Sequence, residues 1–187
     1  MPKTPIEKLC ELYGRIDICQ DCELGKLCIN SAPRLRFKFG TEPILLIGLN
    51  PGCRVVPGCN HIWGGLDLLR KLTDDERRLK YLDEVLDAVW ITNLVKCRKK
   101  GNKELSPGEI GACERRLGKE IEWINPKRII ALGEKPHVWL FHNNKDHIHL
   151  WHPSYAARRG RGAVEVVEAY IDSLYFQVFA RDADISY

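Results

Sequence analysis

Four short apolar runs, separated by stretches with helical periodicity, constrain the fold of this chain more than any other feature of its sequence. The runs are residues 44–49, 89–95, 128–132 and 147–151. Apolar residues dominate these runs, which indicates strands that are covered on both faces, as in parallel sheets. Helical patterns between or after the runs are residues 66–72, 74–86, 106–124 and 164–179. The sequence therefore predicts an α/β fold, with a central, mainly parallel four-stranded sheet flanked by helices.

No linker, internal repeat or low-complexity stretch interrupts this pattern, so we expect one domain over residues 1–187. Scattered charge accompanies an apolar content of 44%, and no run approaches the roughly 18 apolar residues of a membrane span. The first residues are charged and lack the apolar core of a secretory signal. We therefore expect a cytoplasmic protein without a membrane segment, and a monomer. The net charge of +4 is compatible with a polyanionic partner.

Eight cysteines in an intracellular chain indicate a metal site or catalysis rather than disulfides. Cys19 and Cys22 form a CxxC pair, whose sulfurs can converge on one centre from a single turn. Cys97 and Cys113 are a second pair that would complete a four-thiolate site, and Cys28 is a rival ligand. Zinc and a 4Fe–4S cluster both fit four thiolates. Cys113 also fits the apolar stripe of its helix as an ordinary small core residue.

Three polar residues lie at the carboxyl ends of predicted strands. Asn50 follows the first run, Asn93 lies near the end of the second, and His152 follows the fourth. Ligands of open parallel sheets gather outside the carboxyl ends of the strands, so these side chains are expected around one crevice. Each alone also fits a turn, a backbone contact or a strand cap. The prediction of a site therefore depends on their joint placement.

Several longer motifs resemble the iron–sulfur, or family 4, uracil-DNA glycosylases. CQDCELGKLC at residues 19–28 is similar to that family's CxxC entry, and ITNLVKCRKKGNKELSPGEIGAC at residues 91–113 to its TN-x-VKCR strand and Pro-led helix. PKRIIALG resembles the family's third strand, and HPSY followed by Arg158 resembles its second catalytic motif. The resemblance implies a 4Fe–4S cluster in a uracil-DNA glycosylase-like fold. Its implied ligands are Cys19, Cys22, Cys97 and Cys113.

The first motif departs from that family. Residues 48–52 read GLNPG, which resembles the mismatch-specific and single-strand-selective branches, rather than GEAPG. Val55 lies near the position from which the family rejects a thymine methyl group, and a valine there would tolerate one. Uracil is the expected substrate, with hypoxanthine or thymine opposite guanine as alternatives. A non-catalytic lesion-binding module and a zinc-stapled nucleotide-binding domain are the readings from other classes.

The resemblance implies a base-excision repair enzyme that acts on DNA containing a damaged base, hydrolyses the N-glycosidic bond of the flipped-out base and leaves an abasic site. Asn50 would position the water, and His152 would donate a hydrogen bond to the developing charge on the base. Asn93 presents an acceptor and a donor side by side, which match the N3–H and O4 of uracil. Gly48 and Leu49 would line the base pocket.

A flipped base also needs a flat surface on which to stack, and Trp63 is favoured over Ile62 for that role. The stretch of residues 154–159 resembles the loop that enters DNA at the flipped site. Within it, Ser154, Arg158 and Arg159 would hold phosphates, and Tyr155 would fill the gap in the base stack. A basic cluster would extend the DNA track: Arg98, Lys99, Lys100 and Lys103.

Bifunctional glycosylases use a lysine to form a Schiff base with the sugar, and no lysine lies in the catalytic motifs. Lys96 is three residues from Asn93, an odd offset that places the two side chains on opposite faces of a strand. The sequence therefore predicts a monofunctional glycosylase.

Overall fold

The computed structural model describes residues 3–16, 19–28, 39–50, 64–97, 99, 104–159 and 164–180. In this part of the chain, four strands form one sheet with the order β2-β1-β3-β4. The strands are β1 (Ile44–Gly48), β2 (Trp90–Asn93), β3 (Arg128–Leu132) and β4 (Ile148–Leu150). Every neighbouring pair is parallel. The predicted parallel sheet is confirmed, with three of its strands trimmed by one or two residues at their ends.

Eight helices accompany the sheet in the described residues. They are α1 (Pro5–Ile16), α2 (Glu23–Cys28), α3 (Gly64–Arg70), α4 (Glu76–Ala88), α5 (Pro107–Ile124), α6 (Glu134–His142), α7 (Pro153–Arg159) and α8 (Val164–Phe179). The four predicted helices correspond to α3, α4, α5 and α8, and they are confirmed within two residues at each end. The sequence analysis missed α1, α2, α6 and α7.

Capping explains one of the missed helices. Thr4 and Glu7 form a reciprocal capping box at the start of α1, with the Thr4 amide 2.7 Å from the Glu7 carboxylate and the Glu7 amide 3.2 Å from the Thr4 hydroxyl. Pro5 occupies the first helical position, where its missing N–H costs nothing. The pattern Thr-Pro-x-Glu was a readable start signal. By contrast, α2 and α7 span only six and seven residues, too few to show a helical period.

Helices cover the sheet on both faces, which explains why its strands are largely apolar. Along β1, Ile44 and Leu46 belong to one buried cluster, whereas Leu45 and Ile47 belong to another. The first cluster draws on helices α3, α4, α7 and α8. The second draws on α2, α5 and α6, and it contains Cys97 and Cys113. Alternate side chains of one strand therefore serve two cores, as expected in a parallel sheet between helical layers.

The position of α5 is fixed at both of its ends. Ser106 caps its start in a capping box with Glu109, and Asn125 ends it in the left-handed conformation at φ 47°. Between these caps, α5 turns Cys113, Leu117, Glu120 and Ile121 toward the protein interior. No helix among the described residues is long and apolar enough to cross a membrane.

Candidate active site

The sheet order creates a switch point at the carboxyl ends of β1 and β3. The chain passes from β1 to β2 on one side and then returns to place β3 on the other side of β1. Such a point leaves a crevice in which α/β proteins bind ligands. Asn50 follows β1 by two residues, Asn93 ends β2, and His152 follows β4 by two residues. All three polar residues therefore lie at the same edge of the sheet, where the crevice opens.

Asn93 is buried and its side chain is unsatisfied. The residue is 1% exposed, and neither its Oδ1 nor its Nδ2 has a hydrogen-bond partner among the described residues. Its main chain is held firmly, since Asn93 pairs with Gly48 in the sheet and its carbonyl accepts a hydrogen bond of 2.5 Å from the Lys96 ammonium. Leaving a buried polar group without a partner costs about 1–3 kcal/mol. This amide is therefore suited to a ligand that brings its own donor and acceptor.

A buried polar network lies immediately behind Asn93, toward α5. The Lys96 Nζ is 2.7 Å from the Thr92 hydroxyl and 2.7 Å from the Glu120 carboxylate, in addition to the Asn93 carbonyl. Thr92 in turn donates to Glu120 over 2.8 Å. Lys96 and Glu120 are 1% and 0% exposed. The ammonium thus uses all three of its donors on protein groups, none of them on the Asn93 amide. The predicted separation of Lys96 from the Asn93 side chain is confirmed, whereas the role of Glu120 was missed.

The backbone carbonyls at the end of β1 are hydrogen-bonded to the residues that follow β2. The carbonyl of Gly48 accepts from the Leu94 amide at 2.7 Å, and the carbonyl of Leu49 accepts from the Val95 amide at 2.8 Å. Leu49 itself is half-buried and packs against the core that contains the cysteines. These bonds carry the pairing of β1 and β2 beyond the regular strands, and they hold Asn50 beside the end of β2.

His152 is held as a neutral donor. Its Nδ1 accepts a hydrogen bond of 3.1 Å from the backbone N–H of Ser154, which assigns the ring proton to Nε2. Burial, assisted by the positive charge of Arg158, lowers the pKa of His152 to about 4. Gly133, directly after β3, lies close to this side chain, since a Cβ added to it would be 3.3 Å from the Cβ of His152. The imidazole is therefore uncharged at neutral pH and carries its proton on Nε2.

The predicted DNA-entering loop is a helix, which corrects the sequence analysis. Residues 153–159 form α7, because Pro153 presets the first turn and the His152 carbonyl accepts from the Tyr155 amide at 2.8 Å. Arg158 and Arg159 are exposed, whereas Ser154 and Tyr155 are half-buried. The two guanidinium groups are accessible to a phosphate. Ser154 uses its amide to fix His152, and Tyr155 packs against Trp151 with ring centroids 5.1 Å apart.

The four cysteines of the proposed metal site lie in or beside the second buried cluster, which draws on α2, α5 and α6. Cys97 and Cys113 are both 4% exposed, and Cys22 packs against the same cluster. Cys19 is linked to that cluster through α5, since the Arg116 guanidinium lies 3.1 Å from its sulfur. No disulfide joins any of these four residues. Cys10 is exposed on α1, and the side chain of Cys28 lies outside the described residues.

Three of these sulfurs accept hydrogen bonds from the protein. The Gly25 amide is 3.3 Å from the Cys22 sulfur, Arg116 reaches Cys19, and the backbone of Lys96 bonds Cys113. Gly25 has no room for a side chain there, because a Cβ would lie 2.9 Å from the Cys19 carbonyl oxygen. Burial raises the pKa of the Cys113 thiol. N–H groups directed at cysteine sulfurs are typical of iron–sulfur sites. The part of the chain that the structure describes nevertheless contains no group of three or more His, Cys, Asp or Glu side chains arranged to hold a metal ion.

Several predicted residues lie outside the described residues. They are Val55, Ile62, Trp63, Arg98, Lys100 and Lys103. Lys99 is described, and it pairs with Glu109 at 2.6 Å at the start of α5. The stacking role of Trp63 and the basic track therefore stay predictions.

Comparison with known proteins identifies the family. The sequence model described as the uracil DNA glycosylase superfamily matches residues 37–174. The type-4 uracil-DNA glycosylase of Saccharolobus solfataricus is 35% identical over 66% of this chain and 54% of its own length. That of Sulfurisphaera tokodaii is 30% identical over 73% of this chain and 59% of its own.

The type-4 uracil-DNA glycosylase of Archaeoglobus fulgidus is 27% identical over 73% of this chain and 65% of its own length. The chain thus spans little more than half the length of the first two relatives. The family match covers all four strands and helices α3 to α7, including the three polar residues at the sheet edge. This chain belongs to the uracil DNA glycosylase superfamily.

Proposed function

We propose that this chain is a monofunctional DNA glycosylase that hydrolyses the N-glycosidic bond of uracil in DNA and leaves an abasic site. The observation that carries the proposal is the Asn93 amide, which is buried and has no partner among the described residues. Uracil presents an N–H beside a carbonyl, so the Asn93 Oδ1 would accept from N3–H while Nδ2 donates to O4. Cytosine presents the reverse pattern, which the amide would match only after a flip that exchanges Oδ1 and Nδ2, so discrimination against cytosine requires contacts that fix the orientation of this amide.

His152 supports the chemical step. A water oxygen bonds to C1′ of the sugar as the bond from C1′ to N1 of the base breaks, and the electron pair of that bond leaves with the base. The base departs as an anion, and a proton from the water neutralises it. A neutral imidazole with its proton on Nε2 can donate a hydrogen bond to the oxygen on which this charge develops. Asn50, at the end of β1, would orient the water through its side-chain oxygen.

The state of Lys96 supports the proposal of a monofunctional enzyme. A Schiff base would require a free amine at the sugar, whereas Lys96 is 1% exposed and bonded to Thr92, Asn93 and Glu120. The abasic site would therefore be released with its phosphodiester backbone intact. Arg158 and Arg159 on α7 would bind phosphates, a contribution that weakens as salt rises.

The proposal includes a 4Fe–4S cluster held by Cys19, Cys22, Cys97 and Cys113. Support comes from the four undisulfided thiols around one core and from the N–H groups directed at their sulfurs. The cluster would supply a covalent link between the N-terminal segment, the end of β2 and α5. Cys97 lies four residues beyond Asn93, so the same link would steady the base-binding strand end. Purified protein should absorb visible light, whereas a zinc site would be colourless because the zinc d shell is filled.

The test is excision from labelled oligonucleotides that carry uracil, thymine opposite guanine, or hypoxanthine, followed by alkali to cut abasic sites. The native protein should release uracil. His152→Ala should lower the rate by about 10²–10³-fold, and Asn50→Ala should also lower it. His142→Ala is the matched control, because this histidine is exposed at the end of α6 and should leave the rate unchanged.

The remaining outcomes separate the alternatives. Release of hypoxanthine or mispaired thymine, but not of uracil, would change the proposed substrate and leave the proposed reaction as it is. A folded, DNA-binding protein that releases no base would overturn the proposal in favour of a non-catalytic lesion-binding module. A single sedimenting species of one chain would agree with the predicted monomer.

A further inference from the structure

An exposed tryptophan stands beside the proposed catalytic histidine and has no part in the reaction described above. Trp151 is 56% exposed, although it lies between the last strand and His152. Exposing a side chain of this size gives up the free energy of burying it, roughly 1.5–3 kcal/mol. Its position at the carboxyl edge of the sheet places it next to the crevice rather than on a remote face.

The tryptophan is held in a fixed position. Its carbonyl accepts a hydrogen bond of 2.8 Å from the hydroxyl of Tyr170, which is itself only 8% exposed. The indole meets the ring of Tyr155 edge to face, with centroids 5.1 Å apart and planes at 82°. With both contacts made, Trp151 remains 56% exposed. A rigid, exposed aromatic surface loses little entropy when a ligand stacks on it.

A guanidinium group extends this surface by one further helical turn. Arg159 donates to the Tyr155 hydroxyl at 2.8 Å and lies 5.3 Å from the centre of its ring. Tyr155 and Arg159 are four residues apart on α7, the spacing at which side chains on a helix are neighbours. Trp151 precedes α7 and contacts Tyr155. We call these three residues the aromatic ridge. No acidic residue occurs between positions 147 and 164, whereas Arg158, Arg159 and Arg161 do.

An aromatic surface beside guanidinium groups suits one chemical class, a nucleotide with its base on the ring and its phosphate on the cation. We propose that the aromatic ridge binds single-stranded DNA next to the flipped nucleotide, with a neighbouring base stacked on Trp151 and its phosphate near Arg159. A base in a duplex is already stacked on both sides, so it gains less from the indole than an unpaired base does. This inference rests on the proposed function in taking DNA as the substrate.

The test measures binding without catalysis. Fluorescence anisotropy would give dissociation constants for an unmodified oligothymidylate and for a blunt duplex of equal length, neither of which contains uracil. Stacking on an aromatic residue contributes about 1–3 kcal/mol per base by alanine substitution. Trp151→Ala should therefore weaken single-strand binding by roughly 5- to 150-fold, and it should affect the duplex several-fold less.

Two further variants serve as controls for that measurement. Trp151→Phe should restore most of the single-strand affinity, since a smaller aromatic ring still stacks. Phe141→Ala removes another exposed aromatic side chain, 67% exposed on α6 and outside the ridge, and should change neither constant. Arg159→Gln should reduce the slope of log affinity against log salt by about 0.7 for the single strand, whereas Trp151→Ala should leave that slope unchanged.

The outcomes are distinct from those of the glycosylase assay. Equal weakening of single strand and duplex by Trp151→Ala, or no weakening at all, would overturn the inference. If Phe141→Ala weakened single-strand binding as much as Trp151→Ala does, the inference would also be overturned. Tight single-strand binding that depends on Trp151, in a protein that excises no base, would support the aromatic ridge as a binding site and overturn the proposed glycosylase activity. Excision of uracil by a protein whose single-strand affinity is unchanged in Trp151→Ala would support the glycosylase activity and overturn the binding role of the ridge.

Discussion

Two buried polar sites on consecutive residues of β2 have opposite hydrogen-bond states. The Thr92 side chain takes part in a closed network with Lys96 and Glu120, in which the ammonium uses all of its donors. The amide of Asn93, one residue later, is equally buried and has no partner among the described residues. Successive side chains of a strand point to opposite faces, so one site is closed against α5 while the other is directed elsewhere.

This difference distinguishes buried polar groups that stabilise the fold from buried polar groups that bind a ligand. A completed buried network is tolerated because every member is paired, and it joins β2 to α5. An unpaired buried amide reduces stability, and such a group persists where a ligand completes it. The contrast predicts that changes in the network affect folding, whereas changes at Asn93 affect catalysis.

The largest expected effect on stability comes from breaking the network. Lys96→Met leaves the Glu120 carboxylate buried without its cation, and removal of one partner from a buried ion pair costs about 3–5 kcal/mol. Urea denaturation should show this loss in the free energy of unfolding. Adding Glu120→Leu should recover most of it, because an apolar pair of similar volume is often neutral or stabilising.

An exposed ion pair provides the matched control. Lys80 lies 3.7 Å from Glu84 on α4 and is 75% exposed. Lys80→Met should change the free energy of unfolding by no more than about 0.5 kcal/mol. If Lys96→Met were as mild as this control, the network would not stabilise the fold and the comparison would fail.

The next effect is catalytic and concerns His152. Replacement by alanine should reduce single-turnover excision of uracil by about 10²–10³-fold, which corresponds to about 2.7–4 kcal/mol of transition-state stabilisation. A loss of rate smaller than fivefold would show that His152 does not act in the chemical step. The His142→Ala variant again distinguishes this site from an exposed histidine.

A smaller effect appears in the pH dependence. The pKa of His152 is lowered from its usual 6.5 to about 4, so between these values the folded protein binds fewer protons there than the unfolded chain. The stabilisation due to this residue is therefore complete above about pH 6.5 and is lost as the pH falls toward 4. Uracil excision should show no acid limb with a midpoint near 6.5. Such a midpoint, absent in His152→Gln, would show that the imidazole titrates at its ordinary pKa and that burial does not keep it neutral at mildly acidic pH.

The sequence sufficed for the sheet because the strands are largely apolar and helical patterns separate them, and it placed Asn50, Asn93 and His152 at the carboxyl edge of the sheet, where the structure has them. Short helices without a full period were missed, among them α7, which was expected as a loop. Glu120 was also missed, although it lies three residues after Leu117 on the buried side of α5. A glutamate at such a position normally extends toward solvent, whereas here Lys96 and Thr92 pair with it in the interior.

The most direct test of the central claim compares Asn93→Ala with Thr92→Val in the same two assays. Asn93→Ala should leave the free energy of unfolding unchanged or raised by up to about 1–2 kcal/mol, because it removes an unpaired amide, while uracil excision falls at least tenfold. Thr92→Val should lower the free energy of unfolding by about 1–3 kcal/mol, with excision reduced only as far as folded protein is lost. The reverse pattern, a destabilised Asn93→Ala protein whose folded fraction still excises uracil at the native rate, would contradict the account.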